Sequence, residues 1–149
     1  MSNRTYQSGL LFTQAHKLVR GRIYGILEPY NLNPSYWSIL GSTIAAPDGI
    51  RLASVAKAMD VKAPLITMLS NDLIGMGLIN RIPHHTDKRA KLLVATAKGK
   101  RIAAEIEEKL SAEIDYLLSG LNADEVRSFQ KALDVIIQNA STQHITASS

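Results

Sequence analysis

After Gly77 the spacing of apolar residues stops being helical, and beyond Thr96 it becomes helical again. Two runs of six, LINRIP (78–83) and KLLVAT (91–96), are rich in Leu, Ile and Val, and the polar HHTDKRA (84–90) separates them. Such runs joined by a short polar stretch read as the two strands of one ribbon, with its tip at 84–90. Pro83 has no amide to donate to a ladder and fits a strand end. Every other periodic segment is helical. The chain is therefore restricted to a mainly α fold carrying one small β-ribbon.

From Ser8 to Glu28, the residues Leu11, Ala15, Leu18, Val19, Ile23, Ile26 and Leu27 recur at helical spacing, and Pro29 stops that helix. NLNPSYWSILGSTIAA (31–46) restarts one, with Pro34 in its first turn and Trp37, Leu40 and Ile44 on one face. APDGI (46–50) is a turn signal. RLASVAKAMDV (51–61) predicts a short helix on Leu52, Val55, Ala56 and Met59. After a break at Asp60–Val61 comes APLITMLSNDLIGMG (63–77), with a stripe of Leu65, Ile66, Leu69, Leu73 and Met76 and a terminating Gly77. Two short helices joined by a tight turn form a helix-turn-helix pattern.

Beyond the ribbon a long helix carries Ile102, Ile106, Leu110, Ile114, Leu117 and Leu118 in register. Asn122, with Glu125 three residues on, opens a last helix through a capping-box-like arrangement. Val126, Phe129, Leu133, Ile136 and Ile137 are expected to face inward on it. Terminal helices this apolar exceed what a small middle lobe can cover, and a second copy of the chain is the simplest cover.

The net charge of +4 understates how basic one segment is. Residues 81–101 hold seven Lys/Arg (Arg81, Lys88, Arg89, Lys91, Lys98, Lys100, Arg101) against Asp87 alone. Residues 102–149 reverse the sign, with three Lys/Arg against eight acids. A basic block on an otherwise near-neutral chain is a candidate polyanion footprint, although a charge run by itself more often describes a solvated loop. With no cysteine the chain has no disulfide, thiolate metal site or thiol switch. No apolar run approaches the ~18 residues of a membrane span, and no signal-peptide h-region opens the chain, so a cytoplasmic location is expected. Aromatics make up 5% of the residues and offer no stacking platform, which argues against single-stranded RNA as the target.

The order helix, helix, helix-turn-helix, ribbon, long helix, helix resembles the MarR family of winged-helix transcriptional regulators over roughly residues 8–140. Its sharpest part is GLINRIPHHTDKRAKLLVATAKGK (77–100), with Gly-Leu entering the first strand, Arg81 on it, Asp87-x-Arg89, and then T-x-K-G. SYWSIL (35–40) matches the pattern of the second helix. The resemblance implies one domain over 1–149, with a winged helix-turn-helix lobe at 34–100. Dimerisation helices would lie at 8–28 and 101–140 and a flexible tail at 141–149. The chain departs from the family at Met68 and Asp72, where an arginine or another polar donor is common. Its exposed candidates on the recognition helix are instead Lys62, Thr67, Ser70 and Asn71.

On this reading the helix bearing Ala63, Pro64, Thr67, Met68 and Asn71 enters a major groove. Asn71 would pair with adenine, and Ala63, Thr67 or Met68 would touch thymine methyls. Neither Lys62 nor Ala63 is a good N-cap, so a DNA phosphate is expected to accept from the first amides of the helix. By resemblance, Arg89 reaches the minor groove. Asp87 is expected to hold Arg89 or Arg81 in an ion pair, while Lys88 and Lys91 contact phosphates without sequence preference. His84 and His85 add contacts that respond mildly to pH. Lys98, Lys100 and Arg101 sit in a first helical turn, where the macrodipole disfavours cations, which points to a compensating partner or to local acids such as Glu105.

The resemblance also implies a pocket for a small aromatic or anionic effector that lowers operator affinity, with His16, Arg20, Tyr24, Tyr36 and Trp37 as candidate contacts. His84, His85 and Asp87 lack a fourth ligand at useful spacing, so no metal or other cofactor is expected. No nucleophile elbow, phosphate-binding glycine loop or His-Glu helix pair is present, so the chain does not read as an enzyme. Three functions remain: a dimeric ligand-responsive repressor bound to double-stranded operator DNA, a non-specific architectural DNA-binding protein, and a helical protein-interaction module with a basic ribbon.

Overall fold

The structure, a computed structural model, describes residues 3–142, with side chains from 7 to 141. Helix α1 runs over Asn3–Leu27 and passes into one 3-10 turn at Glu28–Tyr30, where Pro29 fits because a first-turn residue needs no amide donor. Asn31, in the left-handed region at φ 57°, ends that turn. Asn33 then caps α2 (Pro34–Ala45) by accepting from the Tyr36 amide at 2.9 Å. Strand β1 (Ile50–Arg51) leads directly into α3 (Leu52–Met59), and Asp60 at φ 53° turns the chain into α4 (Ala63–Gly75). Strands β2 (Ile79–Pro83) and β3 (Lys91–Ala95) follow, then α5 (Ala97–Leu117) and α6 (Ala123–Thr142).

The ribbon lies where the change of period put it. Its register pairs Ile79 with Ala95 and Pro83 with Lys91. A third strand joins it: β1 pairs antiparallel with β3, giving the order β1-β3-β2. Two residues show no period, so spacing alone places Arg51 inside a helix, and the structure puts it in a strand.

The core gathers Leu27, Ile39, Leu40, Val55, Ile66, Leu73, Leu78, Ile79, Leu93 and Ile106, all of them buried. Each such side chain contributes about 1.5–3 kcal/mol through burial. Two helix faces are rotated from the expected ones. In α2 the buried positions are Ile39, Leu40 and Thr43, with Trp37 half-buried and Ile44 exposed. In α4 they are Ile66, Leu69, Ser70 and Leu73. Ser70, expected on the exposed face, is wholly buried, and its Oγ has no partner among the described residues.

The chain divides into two compact units, Met1–Leu110 and Ser111–Ser149, with the division inside α5. In the second unit the expected capping box is present. Asn122 Oδ1 accepts from the Glu125 amide at 3.0 Å, and Glu125 Oε2 accepts from the Asn122 amide at 2.8 Å. The expectation that the α6 stripe faces inward is corrected. Phe129, Ile136 and Ile137 are exposed, while Val126 and Leu133 are half-buried. Helix α6 also continues through Thr142, past the expected start of the tail at 141, and residues 143–149 lie outside the described residues.

Candidate nucleic-acid interface

The end of α4 and the start of β2 are fixed by backbone geometry. Gly77, at φ 74°, lets its amide reach Ile74 O at 2.9 Å and lets the Leu78 amide reach Leu73 O at 3.0 Å. This is the Schellman arrangement, which satisfies carbonyls that the helix end would otherwise leave unpaired.

The T-x-K-G stretch then clasps α5 to the same corner. Thr96 donates its hydroxyl to Gly77 O at 2.6 Å and its amide to Leu78 O at 3.0 Å, and Thr96 Oγ1 accepts from the Gly99 amide at 2.9 Å. Gly99 approaches so closely that a Cβ there would lie 2.0 Å from Leu78 O. Lys98 Nζ donates to Met76 O at 2.9 Å. Its cation therefore meets the negative end of the α4 dipole, which offsets its unfavourable place at the start of α5. Arg101 lies 3.8 Å from Glu105, an exposed pair one turn along. For these two of the three first-turn cations, the compensating partner is local.

Braced in this way, α4 exposes Lys62, Ala63, Pro64, Thr67, Met68 and Asn71. Lys62, at the N-cap position, makes no side-chain cap. The Thr67 hydroxyl donates to Ala63 O at 3.2 Å. Asp72, the acid on this helix, accepts from the Tyr36 hydroxyl at 2.8 Å. That hydrogen bond raises the Tyr36 pKa above its ordinary value, with partial burial and the carboxylate's charge adding to the effect. Asn71 Oδ1 accepts from Arg81 Nη2 at 2.9 Å, so the Arg81 guanidinium lies on α4.

At the ribbon tip the expected ion pair is replaced by a turn. Asp87 Oδ1 accepts from the Arg89 amide at 3.0 Å, and no guanidinium lies within ion-pair distance of it among the described residues. A short carboxylate two residues before an amide closes an Asx turn more readily than it reaches along an arginine. His84 Nδ1 accepts from the amides of Thr86 at 3.2 Å and Asp87 at 3.1 Å, and Arg51 Nη2 lies 3.2 Å from its Nε2. His84 and Asp87 therefore shape the tip, and Arg51 braces it from β1. Sequence reasoning missed Arg51 because the third strand was invisible. His85, Lys88, Arg89 and Lys91 are exposed, and no carboxylate pairs with these three cations among the described residues.

In the first unit a cavity of about 500 Å³ opens beside α2. Trp37, Gly41, Thr43, Ile44 and Ala45 of α2 line it, with Pro47, Ala95 of β3, and Lys100, Ala103, Ala104 and Glu107 of α5. Of the five candidate effector contacts, Trp37 alone lines this space. His16, Arg20 and Tyr24 are exposed on α1, and Tyr36 is bonded to Asp72. The legible signal was the small residues Gly41, Ala45, Ala103 and Ala104, which leave room between two helices. Among the described residues no cluster of three or more His, Asp or Glu could hold a metal ion, and no helix is long and apolar enough to cross a membrane.

The sequence model for the ArnR1-like, winged-helix domain matches residues 49–112, from β1 into α5. Among solved structures, AbsC, a MarR family transcriptional regulator from Streptomyces coelicolor, superposes with a TM-score of 0.86 at 16% identity, over 96% of this chain and 98% of that one. CouR from Rhodococcus jostii RHA1, bound to p-coumaroyl-CoA, superposes with a TM-score of 0.78 at 25% identity, over 86% and 90%. A mutant MarR from E. coli complexed with operator DNA gives 0.76 at 22% identity, over 90% and 96%. This chain therefore carries a winged-helix domain and has the fold of the MarR family of transcriptional regulators.

Proposed function

We propose that this protein is a homodimeric transcription regulator that binds double-stranded operator DNA sequence-specifically and acts as a repressor relieved by a small effector. One observation carries the reading: the uncovered face of α4 that bears Thr67 and Asn71, and the ribbon-tip cations, which pair with no carboxylate among the described residues, belong to one braced piece. Thr96, Lys98 and Gly99 hold that piece together. A helix face for the groove and cations for the phosphates on either side are what duplex recognition requires. In the first turn of α4, Pro64 has no N–H and the Leu65 amide donates to Lys62 O at 3.1 Å, which leaves the Ala63 amide, uncapped by the Lys62 side chain, for a phosphate. The E. coli MarR complex with operator DNA supports the same assignment.

Exposed apolar surface supports dimerisation. On α1, Leu11 is 66% exposed and Leu18 62%; on α6, Ile137 is 61% exposed. Rows of this kind call for cover, and a symmetric second copy supplies it. The effector reading rests on the cavity, whose apolar walls, half-buried Trp37, and Lys100 and Glu107 suit a small aromatic or anionic molecule. Occupancy lowers operator affinity only if the ligand prefers the dimer geometry in which the two α4 helices are mis-spaced for DNA. CouR with p-coumaroyl-CoA supports a ligand-responsive reading.

Selection of bound fragments from genomic DNA, followed by comparison with random DNA at one stated salt concentration, tests the specific reading against an architectural one. Operator preference supports a regulator, whereas equal affinity for every duplex supports an architectural protein. Trp37 is the one tryptophan of the chain, so its fluorescence reports cavity occupancy directly. An effector should change that emission and weaken operator binding over the same concentration range.

A further inference from the structure

Arg81 belongs to the ribbon in sequence and to the recognition helix in space. Helix α4 has no Lys or Arg between Ala63 and Gly75, and its one acid, Asp72, is bonded to Tyr36. Strand β2 supplies the missing guanidinium: Arg81 Nη2 donates to Asn71 Oδ1 at 2.9 Å, with both residues exposed. Among the described residues no carboxylate competes for Arg81.

An asparagine alone offers one acceptor and one donor, the complement of adenine N6 and N7. Here Asn71 Oδ1 already accepts from a guanidinium. The couple as a whole presents the remaining Arg81 N–H groups together with the Asn71 amide N–H. The major-groove edge of guanine offers two acceptors, O6 and N7, whereas adenine places a donor beside its acceptor. A donor-rich couple fits guanine, and a guanidinium already held in place loses less freedom on binding than an unrestrained one.

We propose that Arg81 reads a guanine in each operator half-site, and that Asn71 is the positioning residue that aims it. This rests on the reading that α4 enters the major groove of duplex DNA. The expected discrimination for a well-placed bidentate contact is roughly 5- to 150-fold against adenine at that position.

The test measures wild-type and variant protein against a panel of duplexes carrying each base at every half-site position, at one salt concentration. Thermal unfolding checks that each variant is folded. Wild type should prefer guanine at one position. Arg81→Lys keeps a cation but loses the planar fork, and should erase that preference while leaving other positions unchanged. Asn71→Asp keeps an acceptor for Arg81 and removes the amide donor, so the guanine preference should survive. Asn71→Ala should weaken the preference without transferring it to another base. An adenine preference lost in Asn71→Asp and kept in Arg81→Lys would overturn the assignment. So would an equal loss from Arg81→Lys on every duplex, random DNA included, which would make Arg81 a phosphate contact and leave the regulator reading standing. Failure of the wild-type protein to bind any duplex, even at low salt, would remove that reading and this assignment with it.

Discussion

Replacing Gly99 with alanine asks how tightly the start of α5 is held against the end of α4. In an unobstructed helix interior the change stabilises by about 0.8–1 kcal/mol, because alanine has less backbone freedom to lose. At Gly99 the new Cβ would lie 2.0 Å from Leu78 O and 2.9 Å from Leu78 C. Both obstructing atoms are backbone, so no rotamer change relieves them, and the two segments must separate by about an ångström or more. Overpacking of this kind costs about 1–3 kcal/mol. The same separation strains the bonds from Thr96 and Lys98 to Gly77, Leu78 and Met76, and weakening two of them adds about 2 kcal/mol. Set against the gain in helix propensity, the net destabilisation is about 2–4 kcal/mol. Urea unfolding followed by circular dichroism measures it, at matched protein concentration because the proposed dimerisation would contribute to apparent stability. Gly75→Ala serves as the control: a Cβ at Gly75 meets nothing within 4 Å, and stability should rise by up to about 1 kcal/mol. A Gly99→Ala protein whose midpoint rises in step with Gly75→Ala would refute the clasp.

Asn122→Ala removes the α6 capping box and should cost about 1 kcal/mol, read as a lower urea midpoint; an unchanged midpoint would show the box to be idle. Tyr36 should titrate above the ordinary tyrosine value of 10.0, because the neutral hydroxyl donates to Asp72. Since the folded pKa is the higher one, this stabilisation is complete below pH 10.0 and is lost as pH rises through the raised value. In Asp72→Ala, which removes both the acceptor and the charge, the Tyr36 ring-carbon NMR titration should move back down, and a curve that stays put would remove Asp72 as the cause. Arg89→Ala should weaken operator binding by about 1–3 kcal/mol, whereas Lys88→Ala should act on all sequences alike and reduce the salt slope by about one. Binding isotherms on operator and random DNA over a salt series separate the two, and equal losses everywhere would end that division of labour.

Some of this protein was readable from the chain alone, because the interactions concerned span only a few residues. The switch of period located the ribbon, the Asn122–Glu125 spacing marked the start of α6, and Gly77 marked the end of α4. Hydrogen bonds between residues two to five apart depend on local backbone geometry, which residue type largely dictates. The cation-rich tip was equally legible, since charge needs no fold to be counted. Other features reversed or escaped the reading. Strand β1 is too short to show a period, and Ser70 is buried because α4 turns a different face to its neighbours. Asp87 closes a turn where a salt bridge was expected.

Chemistry that joins distant positions was decided only by packing. Arg81 reaches Asn71 ten residues back, Tyr36 meets Asp72 across thirty-six, and Lys98 caps the end of α4 through Met76 O, twenty-two residues earlier. Side-chain type says what such groups can bond to; the packed arrangement of α2, α4, β2 and α5 decides which of them come within 3 Å. Sequence determined the parts and their local ends, because those energies are short-range along the chain. The tertiary structure determined which side chains share the exposed face of α4 and the ribbon, because that is a property of surfaces that do not exist until the core has closed.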